Sequence, residues 1–174
     1  MKTLIIGLGN PILGDDGVGW RVAEEVKRRL ADSQWPLRVA NSHAERPSAI
    51  EVDCFSLGGL SLMERMIGYD RAILIDAVTT GQPPGTVHRF QLEDLPELSC
   101  AHTTAAHDTS LQNALKLGRR MGIHLPSSVT VVGVEAERLY DFSEELTPAV
   151  EAAVPQAVRA VLEIAGSLLE EASQ

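Results

Sequence analysis

One short segment, residues 71–76, restricts the possible folds of this chain more than any other. Four apolar residues in a row, from Ala72 to Ile75, are followed by an acid, Asp76. A continuous apolar run of this length is typical of a strand covered on both faces, because a strand with one solvent-facing side alternates apolar and polar residues. The segment therefore predicts a central strand in a sheet with helices on both sides.

Strand-like patterns recur along the rest of the chain. Five more strands are predicted, at residues 3–6, 37–40, 52–55, 86–90 and 128–134. The polar stretch at residues 41–48 is typical of a loop or a hairpin turn, and residues 80–85, rich in Gly and Pro, are typical of a turn. Short strands separated by helical patterns favour a parallel sheet.

Three helices are predicted between these strands. In the first, residues 18–30, apolar side chains recur every four positions. A second follows His107, with Asp108, Thr109 or Ser110 as its N-cap and an apolar stripe formed by Leu111, Ala114 and Leu115. The third covers residues 148–170, with Thr147 as N-cap, and Pro155 inside it predicts a kink or a break. The predicted fold class is α/β, a three-layer sandwich whose mostly parallel, twisted sheet carries helices on both faces.

Length and charge narrow the classes of function. A chain of 174 residues fits one domain, residues 1–174, and no apolar run is long enough to span a membrane. The net charge of −9 disfavours a nucleic-acid partner, and the basic cluster at residues 27–29 adjoins Glu24 and Glu25 as on a solvated helix face. Cys54 and Cys100 lack the spacing of a zinc site or a secreted context, so no disulfide is expected. We expect a cytoplasmic protein with no membrane partner.

Three residues are candidates for a metal site. Asp16 follows the first predicted strand, Asp76 ends the central strand, and His107 precedes the second helix. In open α/β sheets, sites form at the carboxyl ends of the strands, and a parallel arrangement would bring the two acids to one edge. Two carboxylates and an imidazole can bind a divalent ion without specifying which one.

Each candidate also has an ordinary structural explanation. Asp15 and Asp16 precede a helix, where aspartate commonly caps free N–H groups. Asp76 could be satisfied in a turn by Thr79 or Thr80, and His107 could simply lie at a helix start. The glycine loop at residues 7–14 suggests a dinucleotide site, but Ile12 stands where the third glycine of that fingerprint belongs. Nucleotide binding is therefore disfavoured.

Residues 7–19 resemble the opening signature of the [NiFe]-hydrogenase maturation proteases. This signature reads Gly-Leu-Gly-Asn-Pro-Ile-Leu-Gly-Asp-Asp-Gly-Val-Gly. Other motifs follow in order: the acidic strand end at residues 74–78, the Pro-Gly-Thr turn at 84–86, His107 with leucines at the fourth and eighth positions after it, and Gly-Val-Glu at 133–135. The family's Asp-Gly-Gly-Thr segment is not kept, because residues 57–60 read Leu-Gly-Gly-Leu.

The resemblance implies an endopeptidase of hydrolase-like α/β fold. Its partner would be the precursor of the hydrogenase large subunit, from which it would remove a C-terminal extension after nickel insertion. Nickel, carried by the substrate, would be recognised by Asp16, Asp76 and His107, which would also be the catalytic residues. Asp15 would shape the loop, and Glu135 would support the site or form a surface salt bridge. His102 is a nearby alternative to His107 but lacks the leucine spacing, whereas His43, His88 and His124 have no motif around them and would be structural or exposed. The oligomeric state stays open, with a monomer favoured.

Two other functions remain open at this stage. One is a nickel-dependent assembly factor that docks the precursor without cutting it. The other is suggested by residues 4–11, which also resemble the start of the bacterial peptidyl-tRNA hydrolases. Acids at residues 15 and 16 stand where that family has other residues, and the acidic charge does not suit a tRNA ligand.

Overall fold

The computed structural model describes residues 1–32, 49–94, 110–139 and 141–171. The strand predicted at residues 37–40, the loop at 41–48, and the residues Cys100, His102 and His107 lie outside this part of the chain.

The described residues form a five-stranded sheet. Its strands are β1 (Lys2–Leu8), β2 (Ala49–Phe55), β3 (Arg71–Val78), β4 (Val87–Gln91) and β5 (Ser128–Glu135). Their order across the sheet is β2-β1-β3-β5-β4, and each neighbouring pair is parallel except β4 and β5, which are antiparallel. The predicted mostly parallel sheet is confirmed, and the apolar segment at residues 71–76 lies in its central strand, β3.

Two helices cover one face of the sheet. They are α1 (Val18–Asp32) and α4 (Pro148–Glu171), which pack on alternate residues of the central strands such as Ile5, Ile73 and Val132. The apolar positions of α1 that recur every four residues include Val18, Val22 and Val26, and all three are fully buried.

The other face is covered by two shorter helices. They are α2 (Gly59–Arg65) and α3 (Leu111–Arg120), which pack with Leu4, Ile6 and Leu74. Among the three predicted caps of α3, Ser110 fills the position, because its side chain accepts a hydrogen bond from the amide of Asn113. Helix α2 was not predicted. With helices on both faces, the three-layer architecture is confirmed.

Pro155 does not break the last helix. Helix α4 runs without interruption from Pro148 to Glu171, so the predicted break into two pieces is wrong. Pro155 cannot donate a hydrogen bond to the carbonyl of Glu151, but both residues are exposed, where water can satisfy that carbonyl. The buried side of the helix, with Ala153, Ala157 and Val158, keeps its packing on the sheet.

Surface features agree with the charge pattern of the sequence. Arg28 pairs with Glu25 and Asp32, and Arg29 pairs with Glu25, so this part of the basic cluster is a solvated helix face. Within the described ranges, no helix has both the length and the apolar character needed to cross a bilayer.

Candidate functional site

The turn that carries Asp15 and Asp16 joins β1 to α1. Residues Gly14–Gly17 form one turn of 3-10 helix, in which both acids are buried. The Asp16 carboxylate accepts a hydrogen bond from the amide of Asn10 at 2.7 Å. This bond closes the loop on itself and fixes the carboxylate at the end of β1.

Asp15 fastens this loop to a distant part of the chain. Its carboxylate accepts bonds from the amides of Glu137 and Arg138 at 2.9 Å each, and from the amide and hydroxyl of Thr147 at 2.7 and 3.0 Å. None of these donors belongs to α1, so the helix-capping explanation is wrong for Asp15. The loop-shaping role that the resemblance implied is confirmed.

Asp76 lies within the central strand. It pairs with Gly133 of β5 and is only 5% exposed. Side chains alternate along a strand, so Asp76 is on the same face as Ala72 and Leu74, the face covered by α2 and α3. The turn explanation through Thr80 does not apply, because both the amide and the hydroxyl of Thr80 donate to Glu135.

A glycine contact brings the loop of Asp16 against the strand of Asp76. A Cβ on Gly19 would lie 2.2 Å from the carbonyl oxygen of Leu8 and 2.5 Å from that of Ile75, so only glycine allows this approach. In the register of β1 and β3, Gly7 is paired with Ile75. The two acids therefore stand at the carboxyl edge of neighbouring strands.

The third candidate ligand, His107, lies outside the described residues. The described residues hold no group of three or more His, Cys, Asp and Glu side chains that could bind a metal. Of the histidines with no predicted role, His88 contacts Glu135, and the exposed His124 pairs with Asp70 beyond the other end of the sheet. The trio of Asp16, Asp76 and His107 stays a prediction.

Glu135 is buried, so the alternative of a surface salt bridge is wrong. Its carboxylate accepts bonds from the amide and hydroxyl of Thr80, at 2.6 and 2.8 Å, and from the amide of Gly81 at 2.8 Å, and it lies 3.2 Å from Nε2 of His88. Burial raises the pKa of Glu135, but the hydrogen bonds from Thr80, Gly81 and His88 outweigh it, and the net pKa lies below its ordinary value. Glu135 thus fastens the turn that follows β3.

Ser56, which was not predicted as a site residue, also lies at this edge. It follows β2, and its hydroxyl donates to the carbonyl oxygen of Gly9 at 2.6 Å, which ties the loop after β2 to the loop after β1. The available signal was only a polar residue directly after a predicted strand. Gly58 and Gly59, close by, begin α2.

The chain matches the family model described as hydrogenase maturation protease over residues 42–164. Among curated proteins, it is 28% identical to the hydrogenase expression/formation protein HupD of Thiocapsa roseopersicina, covering 93% of this chain and 66% of that protein, just under two thirds of its length. It is 29% identical to the hydrogenase 2 maturation protease of Escherichia coli K12, covering 93% of this chain and 89% of that protein.

Solved structures agree with these relatives. The hydrogenase maturating endopeptidase HybD from E. coli superposes with a TM-score of 0.70 at 27% identity, covering 98% of this chain and 94% of that one. The hydrogenase 2 maturation peptidase from a Thaumarchaeota archaeon gives a TM-score of 0.62 at 28% identity, covering 95% and 99%. The predicted fold class is confirmed by these likenesses as well as by the sheet itself.

Proposed function

This chain belongs to the hydrogenase maturation protease family, and from that premise we propose that it removes the C-terminal extension of a [NiFe]-hydrogenase large-subunit precursor after nickel insertion. Its relatives are named as proteases and endopeptidases, so the predicted enzyme class is confirmed at the level of the family. Membership in this family also removes support from the peptidyl-tRNA hydrolase alternative. The precursor, the nickel and the cytoplasmic location remain parts of the proposal.

The observation that carries the proposal is the position of two buried acids at one edge of the sheet. Asp16 and Asp76 are 2% and 5% exposed, and the contact of Gly19 with Leu8 and Ile75 holds their elements together. Carboxylate oxygens at one edge are ligands that a divalent cation can bind. A nickel ion brought by the precursor on its own thiolates would supply that cation, and oxygen and imidazole ligands can complete its coordination.

The start of α3 supports His107 as the third ligand. Leu111 packs in the same apolar cluster as Leu74, two residues before Asp76. His107 precedes Leu111 by four residues in the sequence. The described start of α3 thus lies on the face of the sheet that also bears Asp76.

Recognition of nickel would restrict cleavage to finished precursor. A metal-free precursor offers these carboxylates and the imidazole no ion to bind, so its affinity would be low. Once bound, the ion would place the scissile peptide beside the edge of the sheet. A nickel ion can also act as a Lewis acid on the carbonyl or on water, which would give Asp16, Asp76 and His107 a catalytic part as well.

The described residues offer little for cysteine or serine protease chemistry. Burial raises the pKa of the half-buried Cys54 thiol to about 11, so the reactive thiolate is scarce at neutral pH. The Ser56 hydroxyl donates its proton to the carbonyl of Gly9 and not to a base. Both observations favour a reaction organised around the metal on the substrate.

The test is a cleavage assay on purified precursor, nickel-loaded and metal-free, read by intact-mass spectrometry. Wild type should cleave only the loaded precursor. Asp16→Asn, Asp76→Asn and His107→Gln should each lower the rate at least about 100-fold, because each keeps the size of the side chain but weakens a metal ligand. The controls are Asp32→Asn, an exposed aspartate of α1, and His124→Gln, an exposed histidine near the other end of the sheet.

Three results would contradict parts of this proposal. Cleavage of metal-free precursor by wild type would reject nickel recognition. Full activity of all three site variants would reject the residue assignment. Tight binding of loaded precursor without any product of lower mass would favour the non-cleaving assembly factor.

A further inference from the structure

A short acidic segment lies directly beside the turn that carries Asp16. Leu13 and Ser143 form an isolated parallel bridge, the amide of Gly14 donates to the carbonyl of Ser143 at 2.7 Å, and the amide of Ser143 donates to Ile12 at 3.1 Å. The residues before each bridge partner, Ile12 and Phe142, are therefore neighbouring positions. The docking segment is defined here as residues 141–145 together with Ile12.

The docking segment is held in place from both ends. The amides of Glu137, Arg138 and Thr147 all donate to the buried Asp15 carboxylate, on either side of residues 141–145. Within the segment, the Ser143 hydroxyl accepts from the amide of Glu145 at 3.0 Å. The exposed side chains of this segment therefore stand on a backbone fixed by hydrogen bonds.

Phe142 is the most exposed of the large apolar side chains described. It is 87% exposed, and its neighbour Ile12 is 46% exposed. Apolar side chains that stand on a fixed backbone next to a site are typical anchors of protein interfaces, where aromatic residues contribute most to affinity. The position of Phe142 points to contact with a partner.

The charges around Phe142 indicate the chemistry of that partner. Asp141, Glu144 and Glu145 are exposed on the same short segment, and Arg138 lies 3.8 Å from Asp141, so the remaining charge comes from the two glutamates. The whole chain carries a net charge of −9. A complementary surface would present an apolar pocket bordered by Lys or Arg, because opposite potentials steer association.

We propose that the docking segment binds the folded large-subunit precursor, on a surface with an apolar pocket bordered by basic residues beside the extension to be removed. This inference rests on the proposed function, because Ile12 stands four residues before Asp16 in the loop that a precursor carrying nickel would approach. The metal site would thus recognise whether the precursor is loaded, and the docking segment would recognise which precursor it is.

The experiment measures binding and cleavage of nickel-loaded precursor by wild type and Phe142→Ala. We expect the Kd and KM to rise at least about tenfold in the variant while kcat stays unchanged, because the anchor acts in binding and not in the reaction. Phe142→Tyr should restore most of the affinity. The matched control is Met121→Ala, another exposed apolar residue, which follows α3 away from the carboxyl edge.

A charge reversal tests whether the surface that binds the docking segment is bordered by basic residues. Glu144→Lys should raise the Kd several-fold at low salt, and this difference should shrink as salt is added. Glu163→Lys, an exposed acid on α4, makes the same change of net charge elsewhere and should leave the Kd unchanged.

The outcomes separate this inference from the proposed function. If wild type binds the precursor without cutting it, the proposed function fails while the binding comparison still tests the segment. An unchanged Kd for Phe142→Ala would overturn the inference even if cleavage is normal, as would wild type that does not bind the precursor. A dimer in sedimentation analysis that Phe142→Ala converts to a monomer would show a self-interface and overturn it too.

Discussion

Two loops at the carboxyl edge are each fastened by a buried carboxylate, but with different chemistry. In the loop after β1, Asp15 receives four hydrogen bonds, three from backbone amides and one from the hydroxyl of Thr147. In the turn after β3, Glu135 receives three such bonds and also contacts the imidazole ring of His88. The first loop is closed by backbone amides and one hydroxyl, whereas the second also includes a histidine side chain from β4.

The two loops also differ in how closely their glycines are packed. Gly19, at the start of α1, is packed against two backbone carbonyls. In the second turn, Gly85 is packed against the carbonyl of Ala149, but Gly81 has open space where a Cβ would stand. At Gly81 the second turn is therefore held by its hydrogen bond to Glu135 and not by packing. Four changes can break or sharpen this difference.

The largest effect is expected for Asp15→Ala. The change leaves the buried amides of Glu137, Arg138 and Thr147 without their acceptor, so we expect a loss of about 4 kcal/mol in the free energy of unfolding. Urea denaturation measures it. The control is Asp32→Ala, which removes an exposed ion pair and should cost well under about 1 kcal/mol. Equal losses in Asp15→Ala and Asp32→Ala would mean that the buried bonds of Asp15 stabilise the fold no more than an exposed ion pair does.

Gly19→Ala should cause the second-largest loss in the free energy of unfolding. Its Cβ would press on the carbonyls of Leu8 and Ile75, and backbone cannot move aside as a flexible side chain can, so we expect a loss of about 3 kcal/mol. Gly81→Ala in the other loop meets no atom but keeps a φ of 84°, and should cost only about 1 kcal/mol. Thermal unfolding of both variants compares them directly. A larger loss at Gly81 would reverse the comparison.

Glu135→Gln should have a smaller effect than either change in the first loop. Glutamine keeps an oxygen that can accept from Thr80 and Gly81 but loses the charge, so we expect a loss of about 1–2 kcal/mol at pH 7. Glu137→Gln, an exposed neighbour in sequence, is the control and should be close to neutral. A loss as large as that of Asp15→Ala would mean that both anchors are equivalent.

The smallest expected effect is a dependence on pH of the unfolding free energy that Glu135 contributes. The folded pKa of Glu135 lies below its ordinary value of 4.5, so its ionisation stabilises the fold above that pH, and this contribution is lost as the pH falls through the folded pKa. The difference in unfolding free energy between wild type and Glu135→Gln should therefore narrow as the pH drops below 4.5. A difference that is constant from pH 7 to pH 3 would contradict this coupling.

The strands and long helices were predictable because their patterns are periodic and buried. The apolar run of β3 and the four-residue repeat of α1 are decided by burial, and both were located correctly. Helix α2 was missed because its seven residues are too few to show a period and it begins with glycine. The break predicted at Pro155 was wrong, because the cost of a proline inside a helix depends on whether the lost hydrogen bond faces solvent, which a sequence does not show.

The site was predictable where residues follow strands, and less so where they act on distant parts of the chain. Asp16 and Asp76 were found from their strand ends, and the family motif assigned Asp15 its role. No pattern indicated that the partners of Asp15 would be Glu137, Arg138 and Thr147, or that Glu135 would bond Thr80. Contacts between residues so far apart in the sequence depend on tertiary packing, which local periodicity does not predict.

The bonds of Asp15 have a consequence for the order in which the protein matures during translation. The acid is made among the first residues, but its partners lie 122 to 132 residues further along the chain. While the polypeptide is still emerging from the ribosome, the loop with Asp16 can form its bonds with Asn10 and Ser56, but it lacks the bonds to Asp15 until residues 137–147 have left the tunnel. A nascent or prematurely terminated chain therefore contains Asp15 and Asp16 but not the fixed conformation of their loop. That conformation forms only near the end of synthesis.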